Sequence, residues 1–224
     1  MLNPKGVEVN WKKVVFNVFL VAVGLLAVNG LAEANLVSDG NFTLAPDPGT
    51  FTTYGPGYSA GSTFGGWTVT AGSIDLIGTY WQAPPNGGRS VDMDGDYQAG
   101  TIVGKSFTTI PGQTYALTFY LAGNPDGGPT TKILDVSVGN VSGDVFTFND
   151  TGFDKSNMGW TREQLIFTAT SGLTTLTFYS GDATDNAFGA VIGNVDVSAV
   201  PEPATLLLLG AGLVGLGLSR RKKA

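Results

Sequence analysis

Apolar side chains recur at every second position through the middle of this sequence, and no stretch of residues 35–199 keeps the 3.6-residue spacing of an amphipathic helix over three turns. Tyr115, Leu117, Phe119 and Leu121 share one face of a run that opens after Pro111-Gly112 and closes at Gly123-Asn124-Pro125-Asp126-Gly127-Gly128. Alternation between two turn signals is the pattern of a half-buried strand, because successive side chains leave an extended backbone on opposite sides. Comparable runs, rich in Val, Ile, Thr and aromatic residues, lie at residues 68–77, 101–110, 132–138, 145–148, 163–169, 174–180 and 191–197. Eight short strands separated by turns predict an all-β domain, an antiparallel β-sandwich of jelly-roll type, with a closed up-and-down barrel as the alternative. Residues 43–66 are rich in Gly, Pro, Thr and Tyr and have no apolar period, which predicts a long surface loop or an irregular edge. A loop of that kind favours the sandwich, where loops cluster at the ends and carry binding groups.

The two ends of the chain obey a different logic. Lys12-Lys13 precede an apolar stretch at residues 14–28, and Ala32-Glu33-Ala34 follows as a small-x-small cleavage site. Residues 1–34 therefore read as a signal peptide with its helix, removed by signal peptidase. Val200-Pro201-Glu202-Pro203 opens a second apolar run, residues 204–218, which ends against Arg220-Arg221-Lys222-Lys223. A helix of that length covers about 22 Å at about 1.5 Å per residue, short of the roughly 30 Å hydrocarbon core, so this short transmembrane helix suits a disposable address better than a permanent tail anchor. Pro201-Glu202-Pro203, the short apolar helix and the basic cluster with Arg220 and Arg221, in that order, resemble the PEP-CTERM sorting signal of Gram-negative bacteria. The resemblance implies transient association with the inner membrane, cutting by an exosortase near Pro-Glu-Pro, and release to the cell surface or extracellular matrix, as in a biofilm. Basic clusters tend to stay in the cytoplasm, which places the residues between them across the membrane. The expected organisation is a signal peptide at 1–34, a β-sandwich domain at 35–199 and a sorting signal at 200–224.

Between residues 35 and 200 five Lys and Arg face fifteen Asp and Glu, a net charge of −10. That balance argues against nucleic acid or anionic lipid as a partner and fits a neutral ligand, Ca²⁺ or a soluble secreted surface. The chain has no cysteine and no histidine, which removes disulfides, thiol nucleophiles, His-based triads and ordinary zinc sites. An exported domain of this kind must be held by its core, or by its core and an ion.

Four stretches together resemble the choice-of-anchor C family, bacterial surface proteins related to plant cell-wall proteins with galactose-binding-like domains. They are Asn35-Leu36-Val37-Ser38-Asp39-Gly40-Asn41-Phe42, Gly65-Gly66-Trp67-Thr68-Val69, Ile110-Pro111-Gly112-Gln113-Thr114-Tyr115-Ala116-Leu117-Thr118-Phe119, and Phe188-Gly189-Ala190-Val191-Ile192-Gly193-Asn194-Val195. The resemblance implies a jelly-roll sandwich and a cell-wall or matrix carbohydrate as ligand class. Similar carbohydrate-binding jelly rolls carry carboxylates that help hold a structural Ca²⁺ where this chain has Thr43 and Gly193. A Ca²⁺ here would rely on backbone carbonyls with Asp39, Asn194 or Asp196, and an ion that takes 6–8 oxygens is poorly supplied by that set. No other cofactor is expected.

Asp92, Asp94 and Asp96 form the densest acidic group, but Tyr97 and Val103 stand where an EF-hand loop needs Gly and Glu. They read as a solvated strand end and turn, or as a cation site offset by Arg89 and Lys105. Glu163 with Asp92 or Asp94 is the one glycosidase pair on offer, and no spacing links them, so the reading is of a protein that is not an enzyme. The most ligand-like segment is residues 78–89: Tyr80 and Trp81 sit in a loop bounded by Pro and Gly, with Gln82, Asn86 and Arg89 beside them. Aromatic faces next to amide and guanidinium groups suit the C–H faces and hydroxyls of sugars. Two placements are open for Trp81, exposed for stacking or folded back as a lid over one end of the sandwich. Trp67 and Trp160 are expected in the core. The sequence thus predicts a non-catalytic polysaccharide-binding module, with a structural coat or biofilm protein making protein–protein contacts as the alternative.

Overall fold

The computed structural model describes residues 34–96, 98–182 and 186–201, with Gly212 alone beyond them. The expected signal helix, the Tyr97 position, and Glu202, Pro203, Arg220 and Arg221 of the sorting segment lie outside the described residues. The described strands are β1 (Phe51–Tyr54), β2 (Thr63–Phe64), β3 (Trp67–Ala71), β4 (Ile74–Ile77), β5 (Ser90–Asp92), β6 (Asp94–Gly95), β7 (Gln98–Ala99) and β8 (Thr101–Gly104). They continue with β9 (Phe107–Thr108), β10 (Thr114–Gly123), β11 (Thr131–Val138), β12 (Val141–Asn149), β13 (Thr161–Thr168), β14 (Leu173–Thr174), β15 (Leu176–Ser180) and β16 (Ala190–Ala199). Two six-stranded sheets result, ordered β1-β4-β5-β16-β10-β13 and β12-β11-β15-β8-β3-β2, with β14-β9 and β6-β7 as two-stranded ribbons. Every pairing is antiparallel, and the chain changes sheet at most connections, the winding of a jelly roll.

The run expected at 68–77 is two strands in different sheets, split at Gly72-Ser73. Gly72 has φ +59, and a Cβ there would stand 1.9 Å from the Ala99 carbonyl oxygen, so the corner accepts no other residue without moving. The irregular stretch 43–66 supplies β1 and β2, each the outermost strand of its sheet.

Burial follows the alternation. Tyr115, Leu117, Phe119 and Leu121 are at most 3% exposed, while Ala116 and Tyr120 on the other face of β10 are half-buried. The opposing sheet contributes Leu134, Val136, Ile102, Leu176 and Phe178. Through the centre runs a file of rings in successive contact: Tyr54–Phe64 (5.2 Å), Phe64–Phe42 (6.2 Å), Phe42–Trp67 (5.4 Å), Trp67–Phe178 (6.0 Å), Phe178–Phe119 (5.3 Å) and Phe119–Phe146 (5.1 Å). Tilted and edge-on contacts of this kind add to the area each ring buries. Trp67 lies in the core as its strand pattern implies, whereas Trp160 is half-buried against it.

Among the described residues one cation lies wholly inside. Lys132 is fully buried, donating from Nζ to the carbonyls of Gly127 and Phe188, each at 2.7 Å, with Asp150 Oδ2 at 3.4 Å. It ties three loops at one end of the sandwich. Asp92 and Asp94 are also buried at that end, at 1% and 0% exposure, which corrects the solvated turn the sequence suggested. Asp92 Oδ1 accepts from the N–H groups of Asp94 (3.1 Å) and Gly189 (3.0 Å), and Oδ2 accepts from Asn124 Nδ2 (2.7 Å). Burial nevertheless pushes the Asp92 carboxyl well above the usual carboxylate range; the N–H groups and Asn124 offset part of this, and the charges of Asp94 and Asp75 add to it.

Two outcomes are expected. Lys132→Ala leaves Asp150 without its cation and costs about 3–5 kcal/mol, read as a fall in urea midpoint of residues 35–200, and Lys132→Met with Asp150→Leu recovers much of it. An unchanged midpoint in Lys132→Ala removes the buried pair from the supports of the fold. The folded chain also holds the Asp92 proton more tightly than the unfolded chain does. Stability therefore falls as pH rises from about 4 through the raised Asp92 pKa, and Asp92→Asn flattens that dependence in urea titrations across pH.

Candidate functional site

The outer face of the β1-β4-β5-β16-β10-β13 sheet carries a groove of about 640 Å³. Its floor is Thr118 and Tyr120 of β10, Arg162 of β13, and Asn194 and Asp196 of β16. One wall is the N-terminal segment through Asn35, Asn41 and Thr43, and the loop between β4 and β5 adds Asn86. Register explains why these side chains converge: Thr118 pairs with Asp196 on one side and Gln164 on the other, and Tyr120 pairs with Gly193 and Arg162. Outward positions of three adjacent strands thus stand side by side.

A β-bulge shapes the floor. Between Thr118 and Tyr120 the register with β16 shifts, so Asn194 and Val195 together face Phe119. Asn194 takes φ 48 at this point, which lets Ile192 and Val195 both stay buried while Asn194 and Asp196 remain half-buried at the groove. Asp196 has its carboxyl raised by burial, with Ser198 and the Arg162 guanidinium opposing the shift. The groove therefore presents amides, two threonine hydroxyls, one phenol, a guanidinium and two carboxylates, drawn from the sheet, the N-terminal segment and the β4–β5 loop.

The β4–β5 loop, where the sequence placed five ligand residues, is divided by the fold. Trp81 is 6% exposed and donates from its indole N–H to Ser90 Oγ at 2.9 Å, so of its two open placements it takes the inward one. Tyr80 is half-buried: its hydroxyl donates to Asp126 Oδ2 at 2.6 Å, and Lys155 Nζ lies 3.9 Å from its ring centre while pairing with Asp126 at 2.9 Å. Gln82 clasps the loop between β12 and β13. Its N–H donates to Lys155 O, its carbonyl accepts from Trp160 Nε1, and its Oε1 accepts from the Met158 N–H. Tyr80 and Trp81 also line a smaller cavity of about 140 Å³ with Phe51, Asp75, Asp92 and Asn124. Of the five, Asn86 alone reaches the large groove.

Arg89 turns toward the N-terminal segment. Its Nη1 donates to the carbonyls of Ala45 (2.9 Å) and Pro46 (3.0 Å), and its Nη2 lies 3.7 Å from Asp47. Asp39, at φ 57, organises the same segment: Oδ1 accepts from the N–H groups of Thr43 (2.8 Å) and Leu44 (3.0 Å), and its carbonyl accepts from Trp67 Nε1 (3.1 Å). Its other oxygen is buried against Gly65, where a Cβ would stand 1.8 Å away. Burial raises the Asp39 carboxyl, opposed by those two N–H groups and by the charge of Arg89. Asn194 donates its amide to the Pro85 carbonyl. Among the described residues no group of three or more acidic side chains is arranged to hold a metal ion. The Arg89 guanidinium already serves the carbonyls of Ala45 and Pro46 in this segment. Gly193 is where it is because Pro84 packs on it: a Cβ would lie 2.8 Å from the proline ring, leaving no space for a carboxylate.

Sequence reasoning missed Thr118, Tyr120 and Arg162. Their signal is present as the polar phase of the β10 and β13 alternation, but which outward face meets a groove depends on strands distant in sequence.

Comparison with known proteins adds the family. A model described as "Protein of unknown function (DUF642)" matches residues 35–198, and the PEP-CTERM protein-sorting motif matches residues 199–222. Halomucin of Haloquadratum walsbyi is 28% identical over 198 residues, which cover 83% of this chain and 2% of that protein, so the chain spans a small fraction of its relative. Among solved structures, the CBM35 of Paenibacillus barcinonensis is 22% identical with a TM-score of 0.40, covering 60% of this chain and 94% of that one. The CBM22-1 xylan-binding domain from the same organism is 15% identical with a TM-score of 0.41, covering 77% and 98%. The sorting motif marks an exported surface protein processed by an exosortase. The chain belongs to the DUF642 family and carries a PEP-CTERM sorting motif at its C terminus.

Proposed function

We propose that the sandwich is a non-catalytic module that binds a surface or matrix polysaccharide in the groove over β10, β13 and β16. The observation that carries this reading is the groove itself, about 640 Å³ on the outer face of the sheet, with Tyr120 beside Arg162, Asn194 and Asp196. A sugar lays its C–H face on an aromatic ring and bonds its hydroxyls to amide, guanidinium and carboxylate groups, and all of these stand on rigid strands here. The β4–β5 loop supplies Asn86 directly, while buried Trp81 and the bonds of Gln82 to the β12–β13 loop hold that loop in place. Export and cell-surface sorting put such a module where polysaccharide is found. Arg89 bridges the carbonyls of Ala45 and Pro46, and in this reading that contact, without Ca²⁺, holds the segment.

Polysaccharide pull-down and a glycan array with residues 35–200 test the reading. Arg162→Ala is expected to weaken binding by about 1.5–3 kcal/mol, roughly 10- to 100-fold, with the urea midpoint unchanged, and Tyr120→Ala weakens it similarly. Trp81→Ala instead lowers the midpoint by emptying a buried site. A domain that binds no polysaccharide, or groove variants that bind as well as the unaltered domain, ends the proposal in favour of a coat protein built on protein contacts. EDTA is expected to leave the melting temperature unchanged and Arg89→Ala to lower it; a large fall with EDTA means an ion does what Arg89 is credited with.

A further inference from the structure

The point at which the chain leaves the sandwich is fixed. Val200 donates its N–H to Thr114 O at 2.9 Å, and its carbonyl accepts from Gln113 Nε2 at 3.1 Å, so the last residue before Pro201 is held against the start of β10. Beyond it, Pro201-Glu202-Pro203 is all that separates the fold from the apolar run beginning at Ala204. Four residue steps cover at most about 14 Å when fully extended. The headgroup layer on one side of a bilayer takes up about 5–8 Å of that. A chain still held by its sorting segment therefore has this end of the sandwich at the lipid surface.

The end is built accordingly. Its turns include residues 104–113, 138–141, 168–175 and 199–201, brought together by β9–β14 pairing, the bond from Thr109 N–H to Gly172 O, and the bonds from Ala169 N–H to Gln113 O and from Gly112 N–H to Ala169 O; the β2–β3 turn, with buried Asp39 behind Gly65, joins them through the bond from Lys105 N–H to Gly66 O. None of the residues in those four stretches is acidic, in a domain with fifteen acids, and Lys105 is exposed among them. At the tips stand Ile110, 67% exposed, and Leu173, 61% exposed, joined through the Thr108–Leu173 pair. Asp92, Asp94, Asp126, Asp150, Asp154 and Asp182 lie at the opposite end, about 30 Å away along ten-residue strands. A net charge of −10 disfavours an anionic surface, and this polarity turns the repulsive groups away from it.

We propose that the Ile110 and Leu173 end of the sandwich is a lipid-facing surface, seated on the headgroups of the inner membrane's outer leaflet while the sorting segment holds the chain, with both side chains entering the interface. The inference rests on the reading of residues 204–218 as a membrane segment.

The absence of native cysteine allows single-cysteine labelling of the full chain with an NBD dye. Ile110→Cys, Leu173→Cys and Thr151→Cys variants, the last at the opposite end, are reconstituted with phosphatidylethanolamine and phosphatidylglycerol vesicles containing headgroup-quencher lipid. Flotation with the vesicles and loss of most NBD emission at positions 110 and 173, with emission kept at 151, are expected. A twenty-residue flexible insert between Val200 and Pro201 restores emission at 110 and 173. A chain that does not float overturns the membrane-segment reading and this proposal with it. A chain that floats but is quenched at none of the three positions, or equally at all, overturns the lipid-facing surface alone, as does a partner protein, rather than lipid, crosslinking at 110 and 173.

Discussion

A chain without a disulfide that must stand outside the cytoplasm depends on one uninterrupted apolar contact, the file of rings from Tyr54 through Phe64, Phe42, Trp67, Phe178 and Phe119 to Phe146. These residues come from both sheets, from the edge strands β1 and β2, and from the N-terminal segment, so the file joins layers that backbone hydrogen bonds cannot join. Phe42 is fully buried at φ 57 inside a turn capped by Asp39, and that strain is held because both its neighbours in the file and the Asp39 carboxylate require it.

Once the core is set, the outside follows from what the loops are free to do. The β4–β5 loop folds down on the sheet because Gly193 admits Pro84, and Gln82 then fastens it to the β12–β13 loop. The part of the sheet left uncovered is the groove. Loops at the far end hold buried Lys132 and Asp92 in cages of carbonyls and N–H groups, so its acidity is partly structural. The end where the chain departs carries no such burden, and the turns around the β9–β14 ribbon hold no acid and stay small and apolar at the tips.

Particular residues show where sequence reading succeeds. The β10 alternation is legible because Tyr115, Leu117, Phe119 and Leu121 all meet the core on one side, and β13 repeats the pattern with Leu165 and Phe167 inward, although Ile166 between them faces out. Trp81 was ambiguous because a loop aromatic obeys no period, and its burial depends on Ser90 and the underlying sheet. Asp92 and Asp94 looked solvated because carboxylates usually are; they are buried because Gly189 and Asn124, distant in sequence, bring N–H groups to Asp92. The dispersal of Tyr80 and Gln82 to the β12–β13 loop, Asn86 to the groove and Arg89 to the N-terminal segment has no local signature.

The sequence by itself determined the all-strand class, the turns at Gly and Pro, the exclusion of thiol and imidazole chemistry, and the sorting motif, since each is written in composition or in spacing within a few residues. Tertiary structure alone decided which outward faces of β10, β13 and β16 meet as a groove, which loop residues are supports, and that the acid-free turns around Ile110 and Leu173 gather where the chain leaves the sandwich. Those properties arise from pairings between residues far apart in the chain, where register, a single bulge at Asn194 and the space left by Gly193 set what stands next to what.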